Sequence, residues 1–210
     1  MYATNEWYVF GKDTIDKKTC NKIKKLAQGN WAESSVNTQK GNSDEERKTG
    51  IKGDYKPDHK IRISEIFWTN DQWLYYTIWP YMQEANQESG WRYDIKFAES
   101  MQITRYRKGG FYNFHRDGMG DNLSAYKNPT NAFLDGHVRK LSMSLILNGN
   151  FQGGAFEFAS YRKEQCNITP LEAEAGSIIV FPSSMEHRVA PVTKGIRYSL
   201  VCWFVGPPFV

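Results

Sequence analysis

The chain has few cysteines and no arrangement of them that would build a disulfide framework. Its 210 residues contain three, at Cys20, Cys166 and Cys202, and no CxxC pair. An odd count without close pairs excludes a small disulfide-stabilised scaffold and favours a reducing compartment. We therefore predict a cytoplasmic protein with free thiols.

Long apolar runs are also absent. No stretch approaches the roughly 18 apolar residues that a transmembrane helix requires. The opening residues, MYATNEWYVF, lack the basic segment followed by an apolar segment that marks a secretory signal. The sequence thus predicts neither a membrane span nor an export signal, and we expect no membrane partner.

A strong excess of one charge is missing as well. The sequence has 27 basic and 23 acidic residues, for a net charge of +4, which is typical of an ordinary solvated surface and gives little support to a nucleic-acid partner. Hydrophobic residues reach 40 % and aromatic residues 15 %. That is enough apolar material for one packed domain, and aromatic residues favour strands.

Two helices are predicted in the N-terminal part. The first should span about residues 14–28, with Asp13 or Thr14 as its cap, because apolar residues recur there at helical spacing. The second should begin after Asp71. Pro80 lies inside it and is expected to kink or break it.

A polar segment, residues 32–60, separates these helices. It is rich in charges and glycines and poor in apolar residues. Loops longer than about 12–15 residues are usually functional or disordered. We predict a flexible loop, either a lid over a substrate channel or a plain insertion. The run IRISEIFW at 61–68 then alternates as a strand does.

From about residue 91 the sequence pattern becomes that of a β protein. About eight short strand-like runs are separated by turn signals such as KGG at 108–110 and QGG at 152–154. Such spacing suggests a sandwich or barrel of the jelly-roll or cupin-like type. We predict one domain over residues 1–210, mainly β with supporting helices. Residues 1–95 would form the helical support and 96–210 the β core.

Two histidines and an aspartate form a candidate metal site. FYNFHRD, at 111–117, places His115 and Asp117 on one face of a strand. His187, from a later strand-like run, can be a third ligand. Two imidazoles and one carboxylate, with open positions, are the ligand set of non-haem Fe(II) oxygenases. The same residues would also suit a zinc hydrolase or a structural zinc site.

An anion-binding pair follows ten residues after His187. Arg197 and Ser199 are two apart in the core-like run IRYSLVCWF, so their side chains share a face. An arginine fork suits a carboxylate, and an unpaired arginine facing a core would be costly. We interpret Arg197 as an anchor for an acid bound beside the metal. A non-catalytic, cupin-like binding module stays open as an alternative.

Together these motifs resemble the Fe(II)/2-oxoglutarate-dependent dioxygenases, and within them the prolyl 4-hydroxylase-like branch. The resemblance rests on HRD at 115–117, His187 and RYS at 197–199. It is supported by Tyr106, LN at 147–148, GG at 153–154, FP at 181–182 and PVTKG at 191–195, and it covers roughly residues 100–204. The resemblance implies a double-stranded β-helix core.

The resemblance also implies roles for individual residues. His115, Asp117 and His187 would hold Fe(II), the catalytic metal. Arg197, Ser199 and Tyr106 would bind the co-substrate 2-oxoglutarate, and Tyr112 would face the substrate. Many prolyl 4-hydroxylases have lysine where this chain has Arg197, which loosens the substrate assignment but not that of the co-substrate.

The chemistry that the resemblance implies is hydroxylation of an unactivated C–H bond with O2, coupled to decarboxylation of 2-oxoglutarate. Ascorbate would serve as reductant. A prolyl residue of a peptide or protein is the expected substrate. A free amino acid, another small molecule and a nucleic-acid base remain alternatives, although a nucleic-acid partner is not expected. The sequence gives no oligomeric state.

Overall fold

The computed structural model describes residues 5–34, 36–37, 55–118, 123–162 and 165–209. Within these ranges the chain forms two helices and seventeen strands, mostly paired antiparallel. The predicted lid lies largely outside the described residues, since 38–54 are not among them. No helix in the described ranges has the length and apolarity needed to cross a membrane.

Helix α1 spans Lys17–Leu26 and begins later than predicted. Its N-cap is Asp16, whose carboxylate accepts hydrogen bonds from the Thr19 backbone N–H at 2.8 Å and the Thr19 hydroxyl at 2.9 Å. The predicted caps Asp13 and Thr14 were wrong. Asp13 has a φ of 59°, a left-handed conformation that starts no α-helix.

Helix α2 spans Gln72–Glu88 and continues through Pro80 without breaking. It buries an apolar stripe at helical spacing, Leu74, Ile78, Met82 and Ala85. This stripe packs with apolar residues of α1 and of the larger sheet into one core cluster. Burial of that stripe fixes the helix against the sheet even though proline removes one backbone hydrogen bond.

The larger sheet has eight strands. Seven follow the order β1-β14-β10-β17-β8-β6-β2, and β7 pairs with β17. Their bounds are Tyr8–Phe10 (β1), Ala32–Glu33 (β2), Glu65–Thr69 (β6), Phe97–Ala98 (β7), Met101–Tyr106 (β8), Val138–Ile146 (β10), Ile178–Pro182 (β14) and Arg197–Gly206 (β17).

The smaller sheet has five strands in the order β13-β12-β15-β9-β5. Their bounds are Arg62–Ile63 (β5), Phe111–His115 (β9), Phe156–Arg162 (β12), Gln165–Leu171 (β13) and His187–Val189 (β15). Two further pairs complete the strands: Val36–Asn37 (β3) with Tyr55–Lys56 (β4), and Phe151–Gly153 (β11) with Val192–Gly195 (β16).

The inner faces of the two sheets pack against each other. Tyr106, Ile179 and Phe181 of the larger sheet form one buried cluster with Phe156 and Phe158 of the smaller sheet. The outer face of the larger sheet carries α1 and α2. This sandwich of two packed antiparallel sheets confirms the prediction of a mainly β, jelly-roll or cupin-like fold with supporting helices.

The predicted strand at 61–68 is two strands in two different sheets. β5 pairs with β9 of the smaller sheet, and β6 pairs with β8 of the larger sheet. Ser64 alone separates them, and its carbonyl accepts a hydrogen bond from the Ser34 backbone N–H at 3.0 Å. The alternation of the sequence continues across Ser64, so the pattern alone could not show the change of sheet.

Strand β17 shows how one strand serves both sides of the larger sheet. Leu200, Cys202 and Phe204 point to the helices and belong to the main core cluster. Ser199 and Trp203 point the other way and line a cavity between the sheets. The two-residue period of a strand produces this division.

Substitution of Ile78 tests the packing of α2 on the sheet. Ile78 is fully buried, so Ile78→Ala should lower the free energy of unfolding by about 2–5 kcal/mol through lost burial and a residual cavity. Tyr76→Ala on the same helix is the control, because Tyr76 is 73 % exposed. Urea denaturation measures both; equal midpoints for the two variants would contradict this packing.

Candidate active site

A cavity of about 380 Å³ lies between the two sheets. The larger sheet lines it with side chains that include Gln102, Tyr106 and Ser199, and the smaller sheet with side chains that include Tyr112 and Phe156. His115, Asp117 and His187 also line it. The cavity is therefore the space that the inward-facing residues of both sheets enclose.

The three predicted metal ligands meet in this cavity. β9 and β15 are antiparallel neighbours, and their register places His187 opposite His115. Asp117 follows the end of β9, where its backbone N–H donates to the Ser183 carbonyl at 2.9 Å. The ligand atoms of the three residues all lie within 4.8 Å of one another. That separation suits three ligands on one face of a single metal ion.

Backbone hydrogen bonds orient both imidazoles. Nδ1 of His115 lies 2.8 Å from the Asn113 carbonyl oxygen, and Nδ1 of His187 lies 2.9 Å from the Met185 carbonyl oxygen. A carbonyl only accepts, so Nδ1 of each ring carries the proton. The lone pair is then on Nε2, which faces Asp117 at 3.8 Å from His115 and 3.6 Å from His187. Both rings present the tautomer that binds a metal through Nε2.

The protonation states agree with metal binding. Burial, helped by the neighbouring His187, lowers the pKa of His115 to about 3, so its ring is neutral at pH 7. Burial alone would raise the pKa of Asp117. His187, His115 and Arg139 nevertheless hold that pKa below its usual value, together with a hydrogen bond from Ser142. The site thus offers neutral imidazole and ionised carboxylate.

Two buried serines hold the Asp117 carboxylate in place. The Ser142 hydroxyl donates to Oδ2 of Asp117 at 2.7 Å and lies 2.9 Å from the Ser183 hydroxyl. Both serines are fully buried. The sequence analysis did not identify them, because they come from β10 and from the turn after β14, far from Asp117 in the chain.

Arg197 is a buried cation without an anionic partner among the described residues. It is 1 % exposed, and its Nη1 donates to the Ser199 hydroxyl at 3.2 Å. Its Nη2 is buried and has no hydrogen-bond partner in the described part of the chain. Burial lowers the pKa of Arg197, because the charged form loses hydration. An incoming carboxylate would supply the missing acceptor and the missing charge.

Tyr106 and Ser199 flank Arg197. Tyr106 lies opposite Arg197 in the pairing of β8 with β17, and the guanidinium carbon is 5.6 Å from the centre of the Tyr106 ring. Both Tyr106 and Ser199 line the cavity that contains the metal ligands. Two of the predicted anion-binding residues, Tyr106 and Ser199, therefore share a cavity with the predicted metal site, and Arg197 adjoins that cavity through its hydrogen bond to Ser199.

Tyr112 lies against a metal ligand. Its ring stacks on the His115 imidazole, with centres 3.5 Å apart and planes at 15°. Burial raises the pKa of Tyr112 to about 12, so its hydroxyl stays protonated at pH 7. This contact restrains the His115 ring, while Tyr112 also forms part of the cavity wall.

Arg62 was missed by the sequence analysis. It is 7 % exposed, lines the cavity and donates from Nε to the Ser64 hydroxyl at 2.7 Å. Ser199 has the same relation to Arg197, two residues later on the same strand face. This Arg-x-Ser spacing within an apolar strand was the signal in the sequence that could have identified Arg62.

A buried ion pair on another wall was also missed. Arg139 donates to both carboxylate oxygens of Glu99, at 2.6 and 2.7 Å, and the Tyr126 hydroxyl donates to the same carboxylate at 2.8 Å. The Arg139 guanidinium also lies 4.2 Å from the centre of the Trp203 ring. Because Arg139 and Glu99 are 40 residues apart, the spacing in the sequence gave no sign of this pair.

Gly154 lies where no side chain fits. Its φ is +63°, and an added Cβ would lie 2.9 Å from Cγ2 of Val192 and 3.0 Å from Cδ of Arg197. Alanine here would both strain the backbone and press on the Arg197 side chain. The second glycine of the GG motif thus has a packing reason that involves the anion anchor.

Removal of the Ser142 hydroxyl tests how Asp117 is held. Ser142→Ala deletes the donor at 2.7 Å, so we expect divalent metal affinity to fall about 10- to 100-fold. Ser144→Ala, on the same face of β10, is the control and should bind metal as the wild type does. Titration with Co(II), followed by its visible absorption, gives the affinities; an unchanged affinity for Ser142→Ala would contradict the role of this hydrogen bond.

Substitution of Gly154 tests the packing around Arg197. Gly154→Ala should lower the free energy of unfolding by about 1–3 kcal/mol, from positive φ and steric overlap. Gly149→Ala is the control, because the nearest atom to its added Cβ is Ala175 Cβ at 3.9 Å. Urea denaturation compares the two, and equal stability would show that the glycine is replaceable.

Comparison with solved structures supports the fold. The chain is similar to a prolyl-4-hydroxylase from Pseudomonas putida, with a TM-score of 0.62 and 18 % identity, over 96 % of this chain and 93 % of the other. It is equally similar to a viral collagen prolyl hydroxylase from Paramecium bursaria Chlorella virus-1, with 16 % identity over 96 % and 97 %. A prolyl hydroxylase from Trichoplax adhaerens, solved with a peptide fragment of hypoxia inducible factor, gives a TM-score of 0.59 with 16 % identity, over 96 % and 84 %. These likenesses confirm the double-stranded β-helix core.

Comparison with curated proteins gives relatives named PKHD-type hydroxylases. One from Synechococcus is 34 % identical over 113 residues, which are 51 % of this chain and 43 % of the relative. One from Xylella fastidiosa is 31 % identical over 136 residues, which are 59 % and 56 %. The chain thus matches about half the length of these relatives.

A family model places these relationships in one group. The model of the 2OG-Fe(II) oxygenase superfamily matches residues 101–205, which is half of the chain. The matched range contains the three clustered residues that we predict as metal ligands and the buried Arg197 that we predict as an anion anchor. Because this model matches half of the chain, the chain belongs to the 2OG-Fe(II) oxygenase superfamily.

Proposed function

We propose that this chain is an Fe(II)- and 2-oxoglutarate-dependent dioxygenase that hydroxylates a C–H bond of a prolyl residue in a peptide or protein. The family supports the cofactor and co-substrate. The curated relatives are named hydroxylases, and the solved neighbours named above are prolyl hydroxylases, one of them bound to a peptide. The prolyl substrate is the inference that these relatives support.

One observation carries the proposal: a buried, unpartnered guanidinium nitrogen of a residue that is hydrogen-bonded to Ser199, a side chain in the wall of the cavity that also contains the candidate metal ligands. Nη2 of Arg197 lacks a hydrogen-bond partner in the described structure, although Arg197 is 1 % exposed. An unsatisfied buried charge is costly unless a ligand completes it. A structural zinc site or a zinc hydrolase would leave this guanidinium without a role. A dicarboxylic co-substrate would give it one.

His115, Asp117 and His187 are the residues that would hold Fe(II). Two neutral imidazoles and a carboxylate occupy one face of a metal and leave positions for a chelating keto acid and O2. When bound, iron with 2-oxoglutarate and O2 supplies the oxidising power to hydroxylate an unactivated C–H bond. The protein keeps the ligands in their metal-binding tautomers through the Asn113 and Met185 carbonyls.

Arg197, Ser199 and Tyr106 would bind the far carboxylate of 2-oxoglutarate. Arg197 supplies the fork and the charge, and Ser199 both orients Arg197 and offers a hydroxyl. Tyr106 is 3 % exposed and lies across the strand pair from Arg197. These three side chains set the distance between the anion anchor and the metal, and hence which dicarboxylic acid fits.

Apolar rings protect the metal side of the cavity. Phe156 stacks near His187 with ring centres 5.4 Å apart, and Phe181 meets the same imidazole at 4.6 Å. Both rings are nearly buried. Such a wall keeps bulk water from a strong oxidant and orients the substrate.

Two further assignments belong to the proposal. Tyr112, beside His115, would contact the substrate next to the metal. Ascorbate would act as reductant when turnover leaves the metal oxidised. The cytoplasmic location also stays a prediction from cysteine usage.

The test of this function is an anaerobic titration of Fe(II)-loaded protein with 2-oxoglutarate. We expect the visible charge-transfer band of the chelate. His187→Ala should lose the band with its metal ligand. Arg197→Ala should need about 10- to 100-fold more 2-oxoglutarate, the effect of losing a charge-assisted hydrogen bond. Aerobic incubation with a prolyl-containing peptide should then add one oxygen atom to the peptide, measured by mass spectrometry, with succinate formed in equal amount.

Arg107→Ala is the control for charge removal. Arg107 is 56 % exposed and pairs with Glu65, so its loss should leave the band unchanged. Circular dichroism verifies that each variant is folded. Folded, metal-loaded wild type that shows no band would overturn the oxygenase assignment and favour a zinc site or a binding module.

A further inference from the structure

A second buried arginine in the cavity also lacks a countercharge. Arg62 is 7 % exposed and lines the cavity, and no carboxylate in the described part of the chain lies within ion-pairing distance of it. Its Nε donates to Ser64 at 2.7 Å, and its Nη2 donates to Oε1 of Gln102 at 2.8 Å. Both acceptors are neutral, so they orient the guanidinium without balancing its charge.

The other arginines that line or adjoin the cavity differ from Arg62. Arg139 is held by both oxygens of Glu99, and Arg116 faces Glu186 at 3.8 Å. Arg197 is the anchor that the co-substrate would complete. Arg62 is therefore the cavity arginine whose charge neither a described carboxylate nor the co-substrate would balance.

The orientation of Arg62 is built by the fold. Ser64 holds its Nε side, and the Gln102 oxygen that receives Nη2 also accepts from the Thr104 hydroxyl at 3.1 Å. The guanidinium carbon lies 4.6 Å from the centre of the Tyr112 ring. Such a guanidinium is pre-organised for a bidentate acceptor, as in the Arg197 and Ser199 pair.

Arg62 is connected to the candidate metal site through the Tyr112 ring. The Arg62 guanidinium lies over the Tyr112 ring. The same Tyr112 ring stacks on the imidazole of the metal ligand His115, with ring centres 3.5 Å apart. Arg62 is thus two stacking contacts from the metal site. A small molecule or peptide end that reaches the metal could contact Arg62 at the same time.

We propose that Arg62 forms a second anion subsite, which binds a carboxylate of the primary substrate while Arg197 binds 2-oxoglutarate. This proposal rests on the proposed function and narrows its substrate class to molecules with an acidic group near the hydroxylated carbon. The carboxylate can come from the C-terminus of the reacting residue or from an acidic side chain beside it. A neutral internal peptide segment would leave the Arg62 charge unbalanced, at the cost of a buried ion.

Two tryptophan side chains line the same cavity as Arg62, and their fluorescence can report on a ligand bound there. Trp68 and Trp203 line the cavity with ring centres 5.9 Å apart, and Trp68 is 48 % exposed. Flat indole faces suit the hydrocarbon part of a substrate whose carboxylate reaches Arg62. Occupation of the subsite should therefore change tryptophan fluorescence.

The experiment separates the two anion sites by filling the first. Protein loaded with Mn(II), which stands in for Fe(II), is titrated anaerobically with 2-oxoglutarate, and binding is measured by calorimetry. The saturated complex is then titrated with acetyl-Gly-Pro, its C-terminal amide, and acetyl-Asp-Pro amide, followed by calorimetry and tryptophan fluorescence. We expect the free acid or the aspartyl peptide to bind about 10- to 100-fold more tightly than the neutral amide. The tighter of the two identifies the source of the carboxylate.

Variants test whether Arg62 causes the tighter binding of the acidic compounds. Arg62→Gln should bind all three compounds with nearly the affinity of the neutral amide, while its binding of 2-oxoglutarate stays as in the wild type. Arg107→Gln, which removes the same charge outside the cavity, should keep the preference. If the glutamine variant does not fold, the same affinities are measured for Arg62→Lys. It retains the charge but not the fork, and the preference should shrink severalfold.

The outcomes also separate this subsite from the proposed function. Failure of the wild type to bind 2-oxoglutarate in the first titration would count against the proposed function, whatever Arg62 does. With 2-oxoglutarate bound, equal affinities for acid and amide would overturn the subsite. A preference that survives Arg62→Gln, or no binding of any of the three compounds, would overturn it as well.

Discussion

The alternation of strand β17 is the constraint on which the core and the cavity both depend. Leu200, Cys202 and Phe204 anchor the strand to the helix layer, and the residues between them face the cavity. Because side chains of a strand alternate strictly, the apolar packing on one side fixes the direction of Arg197 and Ser199 on the other. A one-residue slip of register would turn the core face toward the cavity and Arg197 toward the helices. The stability of the fold and the position of the site therefore come from the same hydrogen-bonded register.

The cavity also illustrates how a protein distributes buried charge. Glu99 neutralises Arg139 through two short hydrogen bonds, and this pair is complete without a ligand. Arg197 and Arg62 are oriented instead by neutral oxygens. Neutral acceptors fix direction at a smaller cost than a permanent carboxylate, which would compete with an incoming anion. A buried guanidinium that is hydrogen-bonded only to neutral oxygens is thus a candidate site for an acidic ligand, whereas one already paired with a carboxylate is not.

Much of the candidate metal site could be proposed from the sequence because its signals are local. His115 and Asp117 are two residues apart, and Arg197 and Ser199 have the same spacing within an apolar run. His187 was proposed as the third ligand because two imidazoles and one carboxylate form a metal-binding set, and the resemblance to known oxygenases supported that choice. Short turn signals and apolar alternation also predicted most strands of the two sheets. What the pattern could not supply was pairing between distant segments, since each pairing depends on the whole fold.

The residues that were missed show this limit in physical terms. Ser142 reaches Asp117 only because β10 lies beside β14, and Glu99 meets Arg139 across 40 residues. Strand β13 was missed because it is a mostly exposed edge strand with few apolar residues, and β16 because its TKG sequence is typical of a turn. Arg62 was missed because IRISEIFW alternates without interruption while its backbone changes sheet at Ser64.

That change of sheet has a mechanical consequence. Near one edge, a single residue, Ser64, connects strand β5 of the smaller sheet to strand β6 of the larger sheet. The covalent chain limits the separation of the sheets there, whereas the strands at the opposite edge, β1 and β13, are far apart in the sequence. Arg62 lies two residues before Ser64, so the cavity wall around it is tied to both sheets by the covalent chain. We therefore expect this wall to yield less to a bulky ligand than a wall built from a single sheet.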